Sequence, residues 1–199
     1  GVRVKAVLAG GPADTYQSPI KAGSIIYSVD GIEIAPNQDI YSHLNFKQGR
    51  VTKLNVLKPG DESAQDFKLV PISVWQEGQL AYDAWVEERQ ALTEKLSNGR
   101  LGYVHLAEMG PDSFERMQND LFGKYRDKEA VVVDVRFNMG GNLTSQLMEV
   151  LSGVRHSSIE TRDGYKLTSF PERRWAKPSI MIADANSYSD GSITPFFYK

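Results

Sequence analysis

The 199-residue sequence predicts an α/β catalytic-domain portion preceded by a small, mostly β module. Through residue 76 the apolar positions fall in short alternating runs punctuated by glycine, the mark of small strands and tight turns. From residue 77 onward the apolar period lengthens to that of a helix, and strands then alternate with helices. That alternation favours a substantially parallel sheet with helices packed on it, so the expected units are 1–76 and 77–199.

In the first unit Val2, Val4 and Ala6 alternate ahead of Gly10–Gly11–Pro12–Ala13. A strand through Ile25, Ile26, Tyr27 and Val29 ends at Asp30–Gly31, a strong hairpin-turn pair, and Ile32 and Ile34 form the returning strand. Ile40, Tyr41 and Leu44 mark one face of a short helix that stops before Gly49. Val51, Leu54 and Val56, then Phe67, Leu69 and Ile72, supply the last strands across a turn at Lys58–Pro59–Gly60–Asp61–Glu62.

In the second unit a helix is expected from near Leu80, with Trp85, Arg89, Leu92 and Leu96 as its apolar stripe and Gly99 as its stop. Strands are expected at Leu101–Leu106, Ala130–Val135 and Ser179–Ala183, and helices at Asp112–Tyr125 and Leu143–Leu151. Phe114, Met117, Leu121 and Tyr125 define the inward face of the first of these helices, and Asp112 with Glu115 has the offset of a capping box. The terminal run Thr194–Pro195–Phe196–Phe197–Tyr198 is apolar and aromatic and calls for a partner surface.

Composition excludes several classes. A net charge of -2 with scattered basic residues argues against a nucleic-acid partner. The longest apolar runs fall far below the ~20 residues of a membrane span. Zero cysteines rules out disulfides and thiolate sites, and leaves cytoplasm and bacterial periplasm undistinguished. His43, His105 and His156 have no metal-ligand spacing, so no metal and no cofactor are expected. His105 falls inside a strand, where a satisfied core or edge histidine is the ordinary reading.

Two segments carry chemistry. In Ser187–Tyr188–Ser189–Asp190–Gly191 a strand must turn sharply into a helix, which places a serine hydroxyl beside the first helical N–H groups. The competing reading of this segment is a simple helix N-cap. In Asp134–Val135–Arg136–Phe137–Asn138–Met139–Gly140–Gly141–Asn142, paired glycines permit a close backbone approach whose N–H groups would cradle a carbonyl oxygen. The competing reading here is a tight strand-to-helix turn with Asp134 and Arg136 paired locally. In the first unit, Gly10–Gly11–Pro12–Ala13 ahead of the strand at Gly23–Ser24–Ile25–Ile26 suits capture of a peptide carboxylate with pairing along an exposed strand, or else a plain turn in a small barrel.

Residues 1–74 resemble a PDZ domain through that glycine loop, the run Ile20–Gly31 and the short helix near Asp39–Leu44; Gly23–Ser24 stands where many relatives have Gly–Asp. Residues 79–199 resemble the core of the S41 peptidases, most closely their tricorn branch. The matching runs are Trp85–Glu87, Gly99–Leu106, Val133–Asn142 and Ser189–Ile193. The resemblance implies Ser189 as nucleophile, and the N–H groups of Asp190 and Gly140 as oxyanion hole. Met139 replaces a glycine common in relatives.

The resemblance also implies hydrolysis of unfolded proteins or oligopeptides through an acyl-enzyme, and homo-oligomer assembly of the complete protein. In the family the catalytic histidine precedes the PDZ-like domain and its orienting glutamate follows the nucleophile, and neither region lies within these residues. The chain is therefore expected to be an internal fragment with little activity alone. The alternative is a catalytically inactive module that binds peptides in the PDZ-like groove; ester hydrolysis by the same serine is a third reading.

Overall fold

A computed structural model describes residues 1–198, which divide into two compact units meeting between Trp85 and Val86. The division falls inside a continuous helix, downstream of the change in apolar period.

The first unit is an antiparallel sheet. Strands β1 (Val2–Arg3), β2 (Ile25–Val29), β3 (Ile32–Glu33), β4 (Thr52–Leu57) and β5 (Gln65–Leu69) are joined in the order β1–β2–β4–β5, with β3 also paired to β2. Asp30 and Gly31 both adopt positive φ (49° and 81°), the two-residue hairpin conformation that an Asp–Gly pair favours. Along β4, Thr52, Leu54 and Val56 are buried while Lys53 faces out to pair with Asp66. Ile20, Ile26, Val29 and Ile34 complete the small core. Helix α1 (Ile40–Leu44) starts where the Asp39 carboxylate accepts the Tyr41 N–H at 3.0 Å.

Helix α2 (Val74–Leu96) begins earlier than the expected start near Leu80. The cause is a capping box: Ser73 Oγ accepts the Gln76 N–H at 3.1 Å, and Gln76 Oε1 accepts the Ser73 N–H at 3.0 Å. The expected stripe holds only in part. Trp85 and Arg89 are half-buried, but Leu92 and Leu96 are 49% and 75% exposed, and the covered face continues instead through Gln90 and Thr93 to the buried Ser97. Long polar side chains cover that face, as Gln90 Nε2 reaching the Tyr103 carbonyl does. At the end of α2 both Asn98 (φ 53°) and Gly99 (φ 78°) are left-handed, and the Gly99 N–H bonds the Glu94 carbonyl in a Schellman closure.

The second unit is built on a parallel three-stranded sheet in the order β10 (Ser179–Ile182), β7 (Ala130–Asp134), β6 (Leu101–His105). Helix α3 (Pro111–Asn119) continues into a π-helical turn at Asp120–Lys124, so the predicted inward face is realised: Met117, Leu121 and Tyr125 are buried and Phe114 packs against them. Gly110 occupies the N-cap without a side-chain bond, and Pro111 opens the helix; the Asp112–Glu115 capping box does not form. The Tyr125 ring lies so close to Gly102 that a Cβ there would fall 2.5 Å from it.

Helix α4 (Thr144–Ser152) buries Leu147, Val150 and Leu151 in the same core, and α5 (Asp190–Phe197) follows β10. A hairpin of β8 (Ser157–Glu160) and β9 (Lys166–Phe170) was not expected from the pattern; its strands are largely exposed, including Ile159 and Leu167. At the end of the described chain, Phe196 and Phe197 stack edge to face yet stay 67% and 59% exposed.

Candidate active site

Parallel strands end together, and the crevice beyond their carboxyl ends is where such sheets place ligands. Here that position holds the loop after β7 and the elbow between β10 and α5. Asp134, the last residue of β7, is fully buried. It accepts from the Tyr103 hydroxyl at 2.7 Å, from the Arg136 backbone N–H at 2.9 Å and from the Arg136 guanidinium at 2.6 Å. Burial pushes the Asp134 carboxyl up, but the bonds from Arg136 and Tyr103 outweigh it and hold the pKa below the ordinary value. Burial, with the Asp134 carboxylate beside it, pushes the Tyr103 hydroxyl well up, so it stays protonated and donates to Asp134. The local Asp134–Arg136 pair is thus real and anchors the turn that follows.

Each N–H of that turn can be followed. Phe137, in a left-handed conformation (φ 60°), donates to Asp184 Oδ1 at 3.1 Å. Met139 donates to the Ala107 carbonyl, and Asn142 to the Met109 carbonyl. Gly140 donates to Asn138 Oδ1 at 2.8 Å, so in this arrangement its N–H is engaged. Gly140 has φ +88°, and a Cβ there would lie 2.7 Å from the Ser189 Cβ. Only a glycine permits this approach of the turn to Ser189.

The elbow is held by Asp184, Ser187 and Tyr188. Asp184 Oδ1 takes the Phe137 and Asn186 N–H groups, and the Ser187 hydroxyl lies 3.1 Å from it and 2.7 Å from the Val135 carbonyl. Tyr188 donates its N–H to the Asn138 carbonyl. Ser189 then takes φ 50° and ψ -126°, a sparsely populated conformation for a residue with a Cβ.

Ser189 sits at the N-cap of α5 but makes no side-chain cap bond, and among the described residues its hydroxyl has no hydrogen-bond partner. The plain capping role is therefore not what its side chain performs. The Asp190 N–H likewise meets no acceptor among the described residues.

The Asp190 side chain does something the sequence did not announce. It accepts the Leu143 N–H at 2.7 Å, the Thr144 N–H at 3.0 Å and the Thr144 hydroxyl at 2.5 Å, capping α4 from across the site. Burial raises its pKa, and those bonds more than reverse the effect, leaving it below the ordinary value. Thr144 in turn meets the buried Thr194 hydroxyl at 2.6 Å. The Ser189 elbow and the start of α4 are therefore one hydrogen-bonded unit.

His105 Nε2 bonds the Arg136 carbonyl at 2.9 Å, and burial lowers its pKa, which favours the neutral ring. Its place is the strand position expected for it. His156 meets the neighbouring Ser157 hydroxyl in the exposed hairpin. Among the described residues no cluster of three or more potential metal ligands occurs, and no helix is long and apolar enough to cross a membrane.

In the first unit the expected free strand is absent. Strand β2 is paired on one side with β1 and β3 and on the other with β4, so it offers no edge to a peptide. The glycine loop also uses its N–H groups locally, Gly10 to the Asp14 carboxylate and Gly11 to the Leu8 carbonyl. What the unit does carry is an apolar groove of about 710 Å³ between the chain at Val4–Leu8 and helix α1, with Ile40, Tyr41 and Leu44 on its wall.

A parallel sheet with a serine at a strained strand-to-helix elbow, packed against a glycine turn, defines a hydrolase-like α/β domain. Residues 100–199 match the model of peptidase family S41, and the chain belongs to that family. It is 32% identical to tricorn protease homolog 1 of Streptomyces coelicolor over 87% of its own length, and 31% identical to a tricorn protease homolog of Saccharolobus solfataricus over 90%. The chain spans 16% of each of these relatives. Its fold is that of a segment of the tricorn protease crystal structure, with a TM-score of 0.69 at 23% identity, covering 97% of this chain and 19% of that one.

Proposed function

We propose that this chain is part of a serine peptidase of the tricorn type that cleaves unfolded proteins or oligopeptides, with Ser189 as nucleophile. The observation that carries this reading is the Ser189 elbow: a strained backbone, a hydroxyl without a capping bond, and a glycine turn so close that a Cβ at Gly140 would strike it.

In the proposed reaction Ser189 Oγ attacks the scissile carbonyl carbon while its proton passes to a base supplied by another part of the complete protein. The carbonyl oxygen becomes an oxyanion held by the Asp190 N–H and by the turn around Gly140. Collapse of the tetrahedral species breaks the C–N bond, the amine leaves with a proton, and water then hydrolyses the ester to release the acid and restore the serine. The base and its orienting acid are assigned to regions outside these residues, so the isolated chain is expected to turn over little peptide. Peptide hydrolysis by the 199-residue chain, the full-length protein and its Ser189→Ala variant tests this. Turnover by the short chain equal to the full-length form contradicts the fragment reading, and an active Ser189→Ala contradicts the nucleophile.

The groove of the first unit favours a second role, peptide binding by a PDZ-like module, whether or not the complete protein cleaves. Titration with matched free-carboxylate and amidated peptides separates terminal-carboxylate capture, which prefers the former, from side-chain capture, which binds both equally.

A further inference from the structure

The Asn138 side chain is fully buried and ties together every wall of the candidate site. Its Nδ2 donates to the Leu106 carbonyl at 2.7 Å, beyond the end of β6. Its Oδ1 accepts the Gly140 N–H at 2.8 Å. Its backbone carbonyl accepts the Tyr188 N–H at 2.9 Å, just before the nucleophile. Gly191, in the first turn of α5, packs flat on the amide, where a Cβ would lie 2.5 Å from Oδ1. An amide supplies a donor and an acceptor at once and does so at any pH.

The consequence concerns which N–H faces the reacting carbonyl. Met109 pairs with Gly141 in an isolated parallel bridge, donating to the Gly140 carbonyl and accepting from the Asn142 N–H. In such a bridge the N–H of the central residue points away from its partner. Met109 follows β6 and Ser189 lies beyond β10, the strands on either side of β7. The Gly141 N–H therefore points away from Met109, and among the described residues it has no acceptor.

We infer that Asn138 is a positioning residue which retains the Gly140 N–H for structure and so presents the Gly141 N–H, together with that of Asp190, to the oxyanion. This rests on the nucleophile reading above, and it refines the glycine-turn donor from Gly140 to its neighbour. A positioning role differs from simple filling of buried space because it depends on the amide's acceptor and donor.

Amide hydrogen exchange followed by NMR on the 199-residue chain tests the arrangement without needing turnover. The Gly140 amide is expected to exchange slowly and the Gly141 amide freely. In Asn138→Leu, which keeps the bulk, Gly140 exchange is expected to rise about tenfold or more through loss of its buried acceptor, with Val133 in the core as internal control for global unfolding. A protected Gly141 beside an unprotected Gly140 in the parent overturns the inference.

Asn138→Asp gives a second readout through labelling of Ser189 by a fluorophosphonate in the full-length protein. The protonated acid reproduces the donor and acceptor, whereas the carboxylate faces the Leu106 carbonyl. Labelling is therefore expected to fall as pH rises through the titration of that carboxyl, opposite to the ordinary rise for a serine. A pH profile parallel to the parent's overturns the positioning role. Loss of labelling in the parent itself is a failure of the nucleophile reading, and it leaves the exchange pattern to decide the role of Asn138.

Discussion

The groove of the first unit and the serine site of the second are built by opposite means. The groove is shaped mainly by apolar side chains such as Val4, Ile40 and Leu44, with the Tyr41–Glu77 contact as a polar tie at its rim. At the serine site every turn is held by named donors and acceptors, from the Asp134–Arg136 pair through Asn138 to the Asp190 cap on α4. A surface of the first kind tolerates exchange of one apolar residue for another of similar volume, while a network of the second kind fails when one partner is lost. The contrast teaches that chemistry in this chain should be sensitive to small isosteric changes that leave binding in the groove untouched.

The sharpest way to break the comparison is Gly140→Ala. The added methyl meets Ser189 at a backbone conformation that disfavours any side chain, and a displacement of about 1 Å at a reacting group costs on the order of 100-fold in rate. Fluorophosphonate labelling of the full-length variant is expected to fall by that order, with groove-bound peptide affinity unchanged.

Next in size is Asp190→Ala, which removes the cap of α4 and leaves the Leu143 and Thr144 N–H groups without their acceptor. Loss of a side-chain cap costs about 1–2 kcal/mol, read as a lower urea midpoint.

The same carboxylate sets a pH dependence. Its folded pKa is lowered, so its contribution to stability is complete above the unfolded value of about 3.9 and is lost as pH falls through the folded one. Asp134 has the same sign. Asp190→Asn should therefore flatten, but not abolish, the acid limb of a stability–pH curve.

Tyr103→Phe removes one of the donors to buried Asp134, for an expected loss of about 1 kcal/mol in urea unfolding. The smallest effect belongs to the groove rim. Glu77 meets the exposed Tyr41 hydroxyl at 3.4 Å, and Glu77→Gln should shift stability by less than about 0.5 kcal/mol. A larger loss there would show that the groove, too, depends on a specific polar tie.

The same contrast explains what could be read from the sequence. The Asp30–Gly31 hairpin, the Val-rich strand β7 and the inward face Met117–Leu121–Tyr125 follow from local turn chemistry and apolar period, which need no distant partner. The orientation of α2 was misread because its inward face is half-buried Gln90 and Thr93 rather than Leu92 and Leu96, and a hydropathy pattern does not count polar stems as cover.

Its start lies upstream of Leu80 because the Ser73–Gln76 box caps the helix before its apolar period becomes visible. Strand β2 has the look of an edge in sequence, but edge or centre is a property of long-range pairing. The β8–β9 ribbon escaped because its exposed, mixed composition gives no alternating buried face.

At the site, Ser189, Asp190 and the glycine turn were visible as motifs. The ties that shape them were not. Asp190 bonds Thr144, Asn138 bonds Leu106, and Phe137 bonds Asp184, all pairs distant in sequence whose meeting depends on the parallel order of β6, β7 and β10. Asp184–Ala185–Asn186–Ser187 does carry a turn signal in its small polar residues, and that signal, weighed with the adjacent strand, would have marked the elbow's anchor.

The most direct measurement is intact-mass and peptide mapping of the full-length protein after fluorophosphonate treatment. A single adduct on Ser189, abolished by Ser189→Ala, is the expected result. No adduct on the full-length protein, or one that persists in Ser189→Ala, would contradict the assignment of Ser189 as the nucleophile.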